Sequence, residues 1–397
     1  LYAFPLARLF KQTGIRPVAA LLIFQIFFFK QEYLTGEWIW NGFEGKTLAY
    51  LFLFWSLVFL LKNDYYKMAM FAAFATYCHV LVGGWFFMGI GIYMLLSRQH
   101  LVFVIKVCAV YLLITLPFII YLANFILAGE QVTSDPSADW IYVYFRNRHH
   151  LVPTTKDHFW QNEWPFILLM VTSFGFLFKK WFSDQKLYTI SLLVVAYNFI
   201  LLTGIALTYL DSEGTLLKFY VLRMSSLCLL LELILAAYVL RKAFTTSNIM
   251  KRYSPVLLPV VLLLLLSFGT RKNYKRWKVT PAEKDYYEFV TYVKSQTEEA
   301  DRFCFINYND KVENVRFIND AERDRLVSFK MVPEGDSAIL EWYERIENRK
   351  AIEENPAEIN SLATRYQLDY LVSKTPLSIE LVLTYQNDHY YLYHIRE

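Results

Sequence analysis

The sequence carries little charge and little cysteine. Only 19% of its 397 residues are charged, and it has 4 cysteines, 14 glycines and 12 prolines. So few cysteines exclude a disulfide-stapled small protein, and so few glycines and prolines exclude a collagen-like chain. The net charge of +4 is too small to indicate nucleic acid as a partner. The usual motifs of soluble enzymes (a Walker-type glycine-rich loop, GxSxG and HExxH) are also missing.

The chain is instead rich in apolar and aromatic residues. Hydrophobic residues make up 56% of it and aromatic residues 18%, and the mean hydropathy is +0.28. This composition disfavours a wholly soluble protein and excludes a disordered one. From Arg271 onward there are 19 basic and 23 acidic residues, against 21 basic and 13 acidic residues before it. The asymmetry predicts a transmembrane helical domain over residues 1–270 and a soluble domain over residues 271–397.

Mostly apolar runs bounded by charged residues fill the first domain, and a bilayer crossing needs about 20 such residues. Most of the basic clusters fall in alternate loops, which the positive-inside rule assigns to the cytoplasm. We therefore expect a polytopic α-helical protein of the plasma (inner) membrane, with about nine transmembrane helices and an extracytoplasmic C-terminal domain. The runs are Pro17–Phe29, Thr47–Leu61, Met68–Val82, Trp85–Leu96, Leu101–Leu127, Trp164–Phe178, Leu187–Leu210, Phe219–Leu240 and Pro255–Phe268.

Single residues within these runs carry further expectations. Gly83-Gly84, in the middle of residues 68–96, favours two helices with a break at the glycines over one long helix. Glu232 lies in the middle of a long apolar run, so it should face protein rather than lipid. The four cysteines have no partner at metal-ligand spacing and are expected to be small core hydrophobes.

The C-terminal segment has the pattern of an α/β domain, because helical and strand-like stretches alternate along it. The predicted helices are Pro281–Lys294, Ser337–Ile352 and Ala357–Tyr366, and the predicted strands are Arg302–Asn307, Tyr370–Ser373 and Tyr390–Ile395.

Ionisable residues close to a bilayer are costly, so they indicate function by default. Four segments place such residues at the predicted outer ends of the helices, where we expect them to converge on one pocket. The candidates are Glu44 in the first segment, His79 in the second, Arg146, Arg148, His149 and His150 in the third, and Asp211 and Arg223 in the fourth.

Each candidate has a structural alternative. Glu44 has the position of a helix cap, and His79 that of a buried histidine bonded to the backbone. The cluster Arg146–His150 suits phosphate recognition, because arginine offers bidentate donors, but it also suits a lipid headgroup. Arg223 lies about one turn inside an apolar helix, where it either snorkels to the surface or pairs with an acidic residue of Asp211–Glu213.

Several local stretches match a known layout. They are Glu44–Tyr50, Ala75–His79 with Val82–Trp85, Phe145–Pro153, Glu283–Asp301 with Arg302–Ile306, Phe317–Lys330 and Glu341–Arg345. A many-helix domain with these outer segments and a C-terminal extracytoplasmic α/β domain resembles the GT-C superfamily of membrane glycosyltransferases. The superfamily usually relies on an acidic residue in its first outer loop, which we expect to precede Leu1.

The resemblance implies transfer of a sugar from a lipid-linked polyprenyl-phosphate donor to a glycan, lipid or protein acceptor on the outer membrane face. It implies no organic cofactor, and a divalent metal is compatible with it. The alternatives are a non-catalytic GT-C-like scaffold or accessory subunit of a larger membrane complex, and a polysaccharide polymerase or flippase. The roles that follow are catalytic for Glu44, Asp211 and His79, and phosphate-binding for Arg146, Arg148, His149, His150 and Arg223.

Overall fold

A computed structural model describes residues 1–31, 34–35, 37–40, 42–128, 132–157, 159–173, 184–246, 280–306 and 313–395. The chain divides into two compact units, Leu1–Ala128 with Asn147–Asn273, and Gly129–Arg146 with Tyr274–Glu397. Residues 129–146 therefore group with the C-terminal part of the chain, although they lie between apolar runs in the sequence. The predicted helix Pro255–Phe268 lies outside the described residues.

The first unit is helical, and within the part of the chain that the structure describes three segments are long and apolar enough to cross a membrane: Leu101–Asn124, Gln185–Leu210 and Leu217–Val239. The helices Pro17–Lys30, Gly45–Leu60 and Val80–Leu96 are apolar but shorter. Apolar residues form these helices because burial and lipid both favour a backbone that satisfies its own hydrogen bonds. The helices are α1 (Ala3–Gln12), α2 (Pro17–Lys30), α3 (Gly45–Leu60), α4 (Tyr65–Cys78), α5 (Val80–Leu96), α6 (Leu101–Ala128), α7 (Phe159–Ser173), α8 (Gln185–Leu210) and α9 (Ser225–Thr246).

The predicted division of this stretch into two helices is confirmed, but the break between α4 and α5 lies at His79 and not at the glycine pair. His79 is extended, with φ −161° and ψ 105°, and α5 continues through Gly83 and Gly84. Gly83 instead permits a close approach of the two helices, because a Cβ there would lie 2.2 Å from Thr76 Oγ1 and 2.3 Å from the Thr76 backbone nitrogen.

Glu232 faces the interior of the helical unit, as its sequence position predicts. Its side chain is only 2% exposed, and its Oε1 accepts a hydrogen bond from Asn198 Nδ2 at 3.0 Å. The same amide donates to Ser173 Oγ at 2.6 Å, and its oxygen accepts from the thiol of Cys228 at 3.0 Å. Buried polar groups need hydrogen-bond partners. Here the partners come from three different helices, so these bonds link α7, α8 and α9.

The second unit is α/β, as predicted, with a five-stranded sheet in the order β2-β1-β3-β5-β4. Strands β2, β1 and β3 are parallel, and β5 and β4 are antiparallel to their neighbours. The elements are α10 (Pro281–Gln296), β1 (Arg302–Ile306), α11 (Glu313–Ala321), β2 (Asp324–Arg325), α12 (Asp336–Glu354), α13 (Ile359–Tyr366), β3 (Tyr370–Ser373), β4 (Val382–Gln386) and β5 (Tyr391–His394).

Helices cover both faces of this sheet, and the side chains of β1 point alternately to one face and the other. Phe303 and Phe305 point to the core that contains α10 and α11, whereas Cys304 and Ile306 point to the core that contains α12 and α13. Successive strand residues face opposite sides, so a fully buried strand is apolar throughout. The sequence missed β2, which has only two residues, and β4, whose side chains are mostly exposed.

Candidate functional site

The loop that follows α2 is tied down by hydrogen bonds to its own backbone and to α9. Gln31 Oε1 accepts from the backbone nitrogens of Ile39 and Trp40, at 2.9 and 2.8 Å, and Gln31 Nε2 donates to the Trp40 carbonyl at 2.8 Å. Ser226 Oγ, in the first turn of α9, donates to the carbonyls of Gln31 and Glu37, at 2.7 and 3.1 Å. These bonds hold Glu37 against the start of α9.

Glu37 forms a buried ion pair with Arg223. Arg223 Nη1 donates to Glu37 Oε2 at 2.6 Å, and the two side chains are 8% and 5% exposed. The guanidinium also lies over the ring of Tyr220, 4.2 Å from its centroid. Arg223 Nε is buried and has no hydrogen-bond partner among the described residues. Arg223 therefore neither snorkels nor pairs with the segment Asp211–Glu213, and it keeps a donor for a further group.

Three further side chains, those of His150, Lys46 and His79, lie close enough to interact electrostatically with one or both members of this pair. His150 Nδ1 lies 3.8 Å from Glu37 Oε1. Lys46 lies over the ring of Trp38, 3.5 Å from its centroid, and its side chain is 11% exposed. We call Glu37, Lys46, His79, His150 and Arg223 the Glu37 cluster.

His79 lies close enough to the other members of the cluster for their charges to change its pKa. Burial lowers the pKa of His79, and the positive charges of Arg223 and Lys46 lower it further, to about 4. His79 Nδ1 accepts a hydrogen bond from the Val82 backbone nitrogen at 3.4 Å, where it caps α5. A neutral imidazole thus faces the cluster at pH 7.

The other two predicted carboxylates have local partners. Glu44 precedes α3, is largely exposed, and lies 3.5 Å from Lys46 Nζ. Asp211 accepts hydrogen bonds from the backbone nitrogens of Thr215, Leu216 and Leu217 and from the Thr215 hydroxyl, at 2.8 to 3.0 Å. Burial raises the pKa of Asp211, but these hydrogen bonds together hold it below its ordinary value. Asp211 thereby shapes the turn that leads to Arg223.

The basic stretch Arg146–His150 is divided between the two units. Arg146 belongs to the second unit, where it donates to the Lys330 carbonyl at 3.0 Å and lies over the ring of Phe329. Arg148 belongs to the first unit, and its Nε donates to Thr155 Oγ1 at 2.8 Å. The ring of His149 packs against that of His150, with 4.0 Å between centroids. Among the four predicted phosphate ligands in this stretch, His150 is placed near Glu37, with 3.8 Å between its Nδ1 and Glu37 Oε1.

An apolar groove of about 590 Å³ lies between α5, α8 and the turn before Arg223. Val80, which lines it, directly follows His79, and Val221 lies two residues before Arg223. Trp85 Nε1, at the groove wall, donates to the Phe219 carbonyl at 2.6 Å and fixes that turn. The groove therefore begins beside two members of the Glu37 cluster.

Glu37 was not among the candidates chosen from the sequence. Its position in a predicted outer loop is the only feature of the sequence that points to it, and Glu44, Asp211 and Glu213 have the same feature. The described part of the chain contains no group of three or more His, Cys, Asp or Glu side chains arranged to hold a metal ion. No family model, curated protein or solved structure matches the chain.

Proposed function

We propose that this protein is an inner-membrane glycosyltransferase that uses a polyprenyl-phosphate-linked sugar and modifies an acceptor on the outer membrane face. The observation that carries the proposal is the buried Glu37–Arg223 pair, assembled with two histidines and a lysine beside an apolar groove. A phosphate-bearing lipid needs this combination of a charged head site and an apolar channel.

The cluster supplies the chemistry that such a transfer requires. The phosphate leaves with negative charge, and preorganised cationic donors stabilise that charge as it develops. Arg223 offers this donor, with its Nε available among the described residues. Glu37 orients Arg223 and faces His150, so His150 with Glu37 takes the proton of the acceptor hydroxyl. His79, neutral at pH 7, acts as a hydrogen-bonding group and not as a charge.

The groove suits the hydrocarbon tail of the donor. Its wall is almost entirely apolar and includes Trp85, Met88, Phe199 and Leu207. Each buried methylene contributes about 0.8 kcal/mol, so several isoprene units in the groove add substantially to the affinity of the phosphate site.

The proposed orientation follows from the same residues. Glu37, His79 and Arg223 come from the end of α2, the α4–α5 break and the turn before α9, all of which are outer by the positive-inside rule. With three candidate spanning helices and the shorter apolar helices, we propose about nine crossings and an extracytoplasmic C-terminal domain.

Binding of farnesyl phosphate to the purified full-length chain in detergent tests the head site. We expect saturable binding, weaker binding of farnesol, and a loss of about ten- to a hundredfold in affinity for farnesyl phosphate in Arg223→Ala, since charge-assisted bonds are worth about 1.5–3 kcal/mol. Arg16→Ala is the matched control, because this exposed arginine precedes α2, at the opposite end of that helix from Gln31.

Loss of fold must be separated from loss of binding. Removing one partner of a buried ion pair leaves an uncompensated charge and costs about 3–5 kcal/mol. The double variant Glu37→Gln with Arg223→Gln removes both charges, so it should fold yet bind farnesyl phosphate weakly. Unchanged binding in this variant, together with copurification of stoichiometric membrane partners, would favour the accessory-subunit alternative.

A further inference from the structure

Helix α5 lines one side of the apolar groove with a stripe of side chains that Gly84 interrupts. Val80, Gly84, Met88 and Ile92 all line the groove and follow one another at intervals of four residues, so they share one face of the helix. At 1.5 Å per residue the stripe is about 18 Å long, and Gly84 lies about 6 Å along it from Val80. The wall of the groove therefore has a gap one helical turn from its beginning.

The gap at Gly84 has no role in the packing of the helices. A Cβ on Gly84 would meet no described atom within 4 Å, whereas a Cβ on Gly83 would lie 2.2 Å from Thr76 Oγ1. Gly83 permits the contact between α4 and α5, and Gly84 adds width to the groove.

The groove offers its occupant apolar contacts. The polar side-chain atoms of its lining belong to Trp85 and Thr203, and both are already hydrogen-bonded, to the carbonyls of Phe219 and Phe199 at 2.6 and 2.9 Å. Met88 and Phe199 are more than half exposed, so the groove is open along its side. A hydrocarbon chain suits this lining, because burial of apolar surface needs no polar partner.

We propose that Gly84 selects a methyl-branched prenyl chain over a straight alkyl chain, by making room for the isoprene unit nearest the phosphate. This inference rests on the function proposed above, which assigns the phosphate to Arg223 and the tail to the groove. Val80 directly follows His79, so Gly84 lies in the first turn of the groove beyond the Glu37 cluster. A methyl branch widens a chain at this level, and each methyl group that is buried there raises the affinity about fourfold.

Binding of farnesyl phosphate and dodecyl phosphate to the purified full-length chain, in the same detergent, tests this role. The two ligands have the same phosphate and the same main-chain length, but only farnesyl phosphate has methyl branches. We expect the wild type to bind farnesyl phosphate at least about fourfold more tightly than dodecyl phosphate.

A side chain at position 84 should remove this preference. In Gly84→Leu we expect the affinity for farnesyl phosphate to fall about tenfold or more, because the leucine occupies the space of the branched unit. The affinity for dodecyl phosphate should fall less. Gly84→Ala should give a smaller loss in the same direction, and it carries the test if the leucine variant does not fold.

Gly91→Leu is the matched control. Gly91 lies in the same helix, a Cβ there also meets nothing within 4 Å, and Gly91 does not line the groove. This variant should bind both ligands as the wild type does. Thermal unfolding should show that both leucine variants are folded, since leucine favours a helix more than glycine does.

Two results would overturn the role of Gly84: equal losses in Gly84→Leu and Gly91→Leu, or a ratio of the two affinities that Gly84→Leu and Gly84→Ala leave unchanged. If Arg223→Ala still weakened binding in either case, the phosphate site would stand and the selection at Gly84 alone would be wrong. A wild type that does not bind farnesyl phosphate would contradict both proposals.

Discussion

At the scale of residues, the carboxylate of Glu37 determines how the charged groups of the candidate site are arranged. Glu37 holds Arg223 at 2.6 Å and faces His150, whereas Glu44 is exposed and Asp211 is occupied by the turn it stabilises. A charge pair inside a low-dielectric environment is strongly oriented. Glu37 therefore fixes the direction in which the remaining donors of Arg223 point.

Protonation of His79 should destabilise the protein in acid. The pKa of His79 in the folded protein, about 4, lies below its ordinary value of 6.5. The stabilisation that this difference contributes to the folded state is therefore complete above pH 6.5 and is lost as the pH falls through 4. After allowance for partial exposure, the loss is about 2 kcal/mol. We expect the unfolding midpoint of the wild type to fall more between pH 6.5 and 4 than that of His79→Asn, which keeps a capping side chain. Parallel pH profiles of the two proteins would contradict this.

At the scale of elements, close helix contacts place the side chains of the cluster. Gly83 lets α5 approach α4 beside His79, and a Cβ on Gly45 would lie 2.8 Å from the Cys78 carbonyl oxygen. The start of α3 and the α4–α5 break therefore meet without intervening side chains. This contact brings Lys46 and His79 to the same region.

Substitution of Gly83 should be costly, although alanine favours helices. In Gly83→Ala the new methyl meets the backbone of Thr76, which cannot rotate away, so we expect a loss of about 1–3 kcal/mol by overpacking. Gly91→Ala, in the same helix, meets nothing within 4 Å and should be neutral or stabilising by about 0.5–1 kcal/mol. Thermal unfolding in detergent measures both, and equal midpoints would show that the helices separate to accept the methyl.

At the scale of the whole molecule, two units of different composition share one chain. The first has helices long and apolar enough to cross a membrane, and the second has a sheet whose two faces are each covered by helices. Residues 129–146 group with the second unit, where Ile141 and Phe145 join the core that contains Trp342. The second unit is thus assembled from two separate stretches of sequence.

The proposed topology predicts which positions react with a membrane-impermeant thiol reagent in intact cells. Ser337→Cys, exposed at the start of α12, should be labelled because the second unit is extracytoplasmic. Lys62→Cys, exposed in the turn between α3 and α4, should be labelled only after lysis. If Lys62→Cys were labelled in intact cells and Ser337→Cys only after lysis, the second unit would be cytoplasmic. That result would contradict a reaction on the outer membrane face.

Composition and periodicity by themselves determined that the first part of the chain forms apolar helices, some of them long enough to cross a membrane, and that the tail is α/β. Long apolar runs have few alternatives to a helix, and a buried strand such as Arg302–Ile306 is visible as a short run flanked by charges. The same signals misplaced the α4–α5 break, because a glycine pair marks both a helix end and a tight helix contact.

Only the tertiary structure decided the partner of Arg223. Glu37, Glu44, Asp211 and Glu213 all lie in predicted outer loops, and the pairing depends on which of them the Gln31 and Ser226 hydrogen bonds bring to the start of α9. The division of Arg146 from His150 has the same origin. These two residues are four apart in the chain but belong to different units, because their neighbours in space come from distant segments.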